Sequence, residues 1–207
     1  MMRGLIEWYL NGGPFMWPIL IAALIGIAYI IERFITFARA GVDPKKFTEN
    51  VVKKLKKGGV DAALKYCKSS RSPIARILEP TLVKYKEVGK DKAILEEALS
   101  AAATTELAFL DRGMAVLSAV TTLSPMLGFL GTVSGMIRAF NAIALAGTVE
   151  PTLVASGISE ALITTQFGLI VAVPTAAAHT YFSQKVNAYA RSMEEAASLI
   201  IETLMEA

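Results

Sequence analysis

Three stretches of the chain run without a single Lys, Arg, Asp or Glu: residues 8–31, 113–137 and 161–184. Each exceeds the ~20 predominantly apolar residues needed to cross a hydrocarbon core, so three transmembrane helices are predicted, over 14–38, 113–141 and 157–182. The first starts at Pro14, because Asn11-Gly12-Gly13 is a breaker and proline suits a helix N-terminus. Glu32 and Arg33 fall in its last turns and read as a pair snorkelling to the inner surface. Trp8, Tyr9 and Trp17 read as an interfacial aromatic belt. A cleaved signal peptide is the competing reading of this end. Arg3 is the whole of its basic region, Glu7 follows and no small-residue cleavage site precedes a polar start, so the helix is expected to be retained.

Between the first two spans, 39–112 reads as helical throughout. Asp43-Pro44 and Ser72-Pro73 each pair a capping side chain with proline at the first helical position, and open helices over 45–57 and 74–88. Gly58-Gly59 is expected to end the first of these. Asp91 caps a pattern through Leu95, Leu99, Leu107 and Leu110, with no turn signal before Pro125. That predicts one uninterrupted helix projecting far beyond the membrane. The tail 184–205 repeats the theme with Ala188, Met193, Ala197, Ile200 and Leu204 on one side. The fold class expected is an all-α integral membrane protein, with the second and third membrane helices extended into a cytoplasmic helical bundle. No internal repeat or low-complexity segment interrupts it.

The second and third spans are each divided lengthwise. In the third, Gly157, Glu160, Ala161, Thr164, Thr165, Gly168, Ala172, Thr175, Ala176 and His179 share one half of the helical wheel. Leu162, Ile163, Gln166, Phe167, Ile170 and Val173 take the other. In the second, Thr121, Ser124, Gly128, Gly131, Thr132, Gly135 and Ala139 lie on a narrow arc. Small residues at this spacing let helix backbones approach, and faces this long read as surfaces that one chain cannot bury against itself, which points to a homo-oligomer. Their hydroxyls and the Glu160 carboxylate exceed what packing requires. A carboxylate in a membrane segment usually faces a bundle interior or water; capping of the helix N-terminus is its plainer role. Pro125 and Pro174 each remove a backbone donor and are read as kinks.

Composition fits this picture: hydrophobic residues are 54% of the 207, charged residues 19%, and the mean hydropathy is +0.48. Disorder is excluded by that hydrophobicity. The net charge of +3 conceals a strong bias, since 16 of the 21 Lys and Arg lie in 39–112, against 10 Asp and Glu. The positive-inside rule puts 39–112 in the cytoplasm. It follows that 1–13 and the 142–156 hairpin lie outside, and 183–207 inside. One cysteine (Cys67) and one histidine (His179) exclude an internal disulfide and the usual multi-ligand metal sites. Enzyme constellations are lacking: Gly131-Thr-Val-Ser134-Gly135 is no nucleophile elbow, and no phosphate-binding glycine loop occurs. Nucleic-acid binding is not expected, because the 45–57 lysine run has only Phe47 as a stacking aromatic. No cofactor is called for.

The run 124–140 (SPMLGFLGTVSGMIRAF) and the run 157–174 (GISEALITTQFGLIVAVP) resemble the second- and third-span signatures of the MotA/TolQ/ExbB proton-channel family. The resemblance covers the topology, with 39–112 matching in position and helicity only. It implies an inner-membrane subunit of ExbB or TolQ type, assembled as a homopentamer around a dimer of single-span ExbD- or TolR-like proteins whose membrane aspartate carries the proton. Such a motor couples proton-motive force to a TonB- or TolA-like protein. Carried onto this sequence, the family's ion pathway falls on Thr132, Glu160 and Thr165, and Gln166 stands where many relatives carry alanine. A substrate transporter is disfavoured by three spans without a repeat, whereas a non-conducting scaffold would use the same small faces for packing alone. Proton and sodium are both open to a hydroxyl-lined path.

Overall fold

The computed structural model describes residues 7–39, 43–148 and 151–206. Among these residues every regular element is helical: α1 (Met16–Arg39), α2 (Pro44–Lys68), α3 (Pro73–Val88), α4 (Lys92–Asp111), α5 (Met114–Ala146) and α6 (Pro151–Glu206). Three stretches, Met16–Ala38, Lys92–Ala146 and Val154–Glu206, hold helix long and apolar enough to cross a membrane. The protein is an all-α membrane protein.

Local chemistry accounts for the helix starts. Asp43 accepts the amides of Lys45 and Lys46, Ser72 Oγ accepts that of Ala75 at 3.2 Å, and Asp91 accepts that of Ile94 at 3.2 Å. Each satisfies donors left open in a first helical turn. Gly13, at φ +74°, turns the chain into α1, which opens at Met16, two residues beyond the proline expected to start it. Gly59 does break α2, at φ +69°, but the helix resumes and runs to Lys68. The uninterrupted helix expected from Asp91 to Pro125 is cut at Arg112-Gly113, where Gly113 adopts φ +82°. A Cβ there would lie 2.5 Å from the Tyr29 ring, so both the backbone angle and the space call for glycine. At the other end of α5, helix continues to Ala146, Gly147 caps it at φ +69°, and α6 opens at Pro151. Helix therefore occupies most of 142–156, the stretch read from sequence as a hairpin.

The chain divides into two compact units, Met1–Glu32 with Gly113–Tyr181, and Arg33–Arg112 with Phe182–Ala207. In the second unit, Phe47, Val51 and Leu55 of α2, Ile74, Ile77, Leu78 and Leu82 of α3, Leu95, Leu99 and Leu110 of α4, and Met193, Ile200 and Leu204 of α6 form one buried cluster. Ala188, expected on the tail's apolar side, is exposed instead. Cys67 is enclosed in this core, and burial, reinforced by Glu79, pushes its thiol up to about 12. Arg33 does not snorkel. It is 1% exposed and donates to the carbonyls of Leu110 at 2.9 Å and Phe109 at 3.3 Å. Both lie in the last turn of α4, at the negative end of its dipole; the Leu110 carbonyl is left open by helix geometry, whereas that of Phe109 also accepts the Arg112 amide at 3.3 Å. Nearby, the buried Glu106 pairs with Arg76 at 3.3 Å, and the Arg76 guanidinium sits 5.4 Å from the Phe109 ring centre.

Candidate functional site

The first unit is built on the pairing of α5 with the membrane half of α6. A Cβ at Gly128 would lie 3.0 Å from Thr164 O and Thr165 Cα, and one at Gly135 3.0 Å from Gly157 O. One at Gly168 would fall 2.6 Å from the carbonyl oxygen of Ser124. The two small-residue stripes thus run against each other within one chain, in backbone contact over their length. This corrects the expectation that a single chain cannot bury them. Gly128, Gly131, Gly135, Gly157, Ala161, Thr164, Gly168 and Ala172 are all buried. The exposed positions include bulky apolar ones: Leu123, Met126, Phe129, Leu130, Val133 and Ile137 on α5, and Leu162, Leu169, Ile170 and Val173 on α6. The bulky half of α6 is not wholly outward, for Ile163 is buried, and Trp8 stands edge-on to Phe167 with centres 5.2 Å apart. Residues 8–13 lie along α6, with Tyr9 also near Phe167 and Gly13 against Glu160.

The hydroxyls of the interface fall into two groups. Thr164, Thr175 and Ser124 are buried and donate to carbonyls of their own helices: Thr164 to Glu160 at 2.8 Å, Thr175 to Val171 at 2.8 Å, Ser124 to Val120 at 2.7 Å. Thr121 also donates across the interface to Thr175 at 3.3 Å. Thr132 and Thr165 are only half-buried, at the edge of the contact. Thr132 donates to the Phe129 carbonyl at 2.6 Å, and Thr165 crosses to the Gly128 carbonyl at 3.4 Å. Each oxygen keeps lone pairs free to accept another hydrogen bond.

Glu160 does not join the threonines. Its carboxylate pairs with Arg138 of α5, and Gly13 sits directly against it, where any Cβ would overlap the carboxylate. Nor does it cap a helix, since α6 begins nine residues earlier, at Pro151. Of the residues singled out from sequence, the structure brings Thr132 and Thr165 to one side of the pair and sets Glu160 apart. Sequence reasoning missed Arg138 as the partner of Glu160, although it is the lone basic residue of 138–160. Pro125 and Pro174 lie inside α5 and α6 without ending either.

Residues 69–195 match the MotA/TolQ/ExbB proton channel family. A Synechocystis sp. protein named ExbB-like 3 is 32% identical over 166 residues, covering 79% of this chain and 78% of that protein. The Tol-Pal system protein TolQ of Haemophilus influenzae is 39% identical over 110 residues, 50% of this chain and 47% of TolQ. The biopolymer transport protein ExbB of Salmonella typhimurium is 31% identical over 93 residues, 45% of this chain and 38% of that ExbB. The chain spans under half the length of these last two relatives. It belongs to the MotA/TolQ/ExbB proton channel family, as a subunit of the ExbB/TolQ type.

Proposed function

We propose that this chain is the channel subunit of an inner-membrane motor, ExbB-like, in which proton flow drives a TonB-like partner towards outer-membrane transport. A TolQ-like role in envelope maintenance, through a TolR- and TolA-like pair, is the alternative within the family. The reading places Thr132 and Thr165 on the ion path, with 39–112 and 183–207 in the cytoplasm and 1–13 outside. It takes the assembly to be a homopentamer around a single-span ExbD/TolR-like dimer. One observation carries it: the two half-buried hydroxyls lie at the edge of the α5–α6 contact with acceptor capacity to spare. The only carboxylate of the third span, 157–182, is Glu160, and it is held by Arg138, so the titrating group comes from a partner. Moving one charge down the membrane potential releases about 2.3 kcal/mol per 100 mV, enough for a few protons to drive a conformational change.

The backbone bonds of Thr132 and Thr165 favour a second reading, in which both hydroxyls only pack and the chain is a scaffold. Thr132→Val and Thr165→Val separate the two, because valine keeps the shape and removes the hydroxyl. On the ion-path reading each abolishes partner-dependent, proton-driven activity and leaves assembly intact. On the scaffold reading both are close to neutral, since an average hydrogen bond between membrane helices is worth about 0.6 kcal/mol. Activity and oligomer yield, measured side by side, decide.

A further inference from the structure

Gln166 follows Thr165 on α6 and is exposed, whereas Thr164 before them is buried. It lies in a shallow groove of about 570 Å³ along the outward side of α6, with Leu162, Thr165, Leu169, Ile170, Val173 and Pro174. Apart from Thr165 and Gln166 the lining is apolar, and the four aliphatic residues are exposed, Leu162 at 65% and Val173 at 67%. The amide of Gln166 makes no hydrogen bond to any described residue. Pro174 supplies no N–H, so the carbonyl of Ile170, four residues before it, lacks its ordinary helical donor. The lining thus combines two hydrogen-bonding side chains, Thr165 and Gln166, with Ile170, the residue whose carbonyl has lost its helical donor.

A face meant for lipid tails does not look like this. The exposed positions of α1 from Leu20 to Ile31 are Leu20, Ile21, Leu24, Ile25, Ile27, Ala28 and Ile31, all apolar. An unpaired amide in hydrocarbon carries a heavy penalty, because nothing there replaces the water it gives up. Polar side chains in spanning helices accordingly face a bundle interior or a water-filled cavity. A plain packing role for Gln166 within the chain is excluded by its exposure.

We infer that Gln166 is a further polar group of the ion path: its face of α6 borders a water-filled lumen, and its amide orders water beside Thr165. The inference rests on the ion-path reading for its functional part, but hydration of the groove can be tested without it. The test uses the full chain in membranes with its single-span partner co-expressed, and the probe is a charged, membrane-impermeant methanethiosulfonate reagent. Gln166→Cys is compared with Leu24→Cys on α1. Cys67 gives little background, being fully buried with its thiol pushed up to about 12 and so almost wholly in the unreactive thiol form. Gln166→Cys is expected to react at least about tenfold faster than Leu24→Cys, since thiolate forms only where water reaches it. In parallel, Gln166→Leu should lower proton-driven activity roughly tenfold, the effect of one lost polar interaction, while Gln166→Asn keeps most of it. Labelling at 166 as slow as at 24, or full activity in Gln166→Leu, overturns the inference. Rapid labelling and an inactive Gln166→Leu beside a silent Thr165→Val would uphold the water-facing groove and sink the threonine reading instead.

Discussion

Glu160 was legible in the sequence as a carboxylate on a small-residue face, but its partner was not. Arg138 lies 22 residues away, and only the antiparallel register of α5 and α6 brings the two together. That register is fixed by contacts such as Gly135 with Gly157, which no one-dimensional pattern displays. Since Arg138 is 45% exposed, solvent screens the pair and its coupling should be modest, about 1 kcal/mol. A thermal double-mutant cycle with Glu160→Gln and Arg138→Gln in detergent measures it; the single changes should cost nearly as much as the double. Glu106 behaves differently. Burial raises its carboxyl pKa above the usual carboxylate range, and Arg76, by charge and hydrogen bond, only partly offsets this. A raised folded-state pKa means the native chain holds the proton more tightly than the unfolded chain does. Stability from this group is therefore complete below the ordinary carboxylate pKa and is lost as pH rises through the elevated one. Glu106→Gln should then melt higher than wild type at neutral pH. The gap should close as pH falls towards 4, and melting curves of the full chain across that range show whether it does.

At the level of whole helices, what could be read was whatever depends on adjacent residues. Asp43, Ser72 and Asp91 announced three helix starts because a cap needs only its own next turn. The stop at Gly113 was hidden, since a lone glycine inside a helical pattern is tolerated and the apolar run passes straight through it. Arg33 was misread for a related reason: its acceptors, the carbonyls of Phe109 and Leu110, are 76 and 77 residues away. They exist as acceptors only because α4 ends there. Loss of the guanidinium would leave the Leu110 carbonyl without this donor at a buried helix end, while Phe109 keeps the Arg112 amide; hydrogen bonds to a charged donor contribute about 1.5–3 kcal/mol. Arg33→Met, which keeps an apolar stem of similar reach, should destabilise the chain by about 2 kcal/mol. Arg33→Lys should recover part of that, as one ammonium can serve one of the two carbonyls well. Denaturant titration of both variants in the same detergent gives the comparison.

The pairing of α5 with α6 alters the reason for expecting assembly. Small-residue faces looked like surfaces in need of another copy, yet each is consumed by the other inside one chain. In the proposed assembly, copies are expected to meet through the bulky positions that remain exposed, such as Phe129 at 65% and Leu130 at 49% on α5. Two sets of substitutions should then have separable effects. Gly168→Leu places a large side chain where even a Cβ would lie 2.6 Å from the Ser124 carbonyl, so it should disrupt the fold of each subunit. Phe129→Ala with Leu130→Ala touches no intrachain glycine contact and should leave the subunit's melting temperature nearly unchanged while lowering the oligomeric fraction. Native mass spectrometry in mild detergent is expected to show a homo-oligomer, with five copies the expected state, for the wild-type chain. The Phe129/Leu130 variant should shift towards monomer. A wild-type chain that is stably monomeric with its partner present would remove the ring on which the proposed channel depends. An oligomer indifferent to Phe129 and Leu130 would keep the ring but move its contacts to another face.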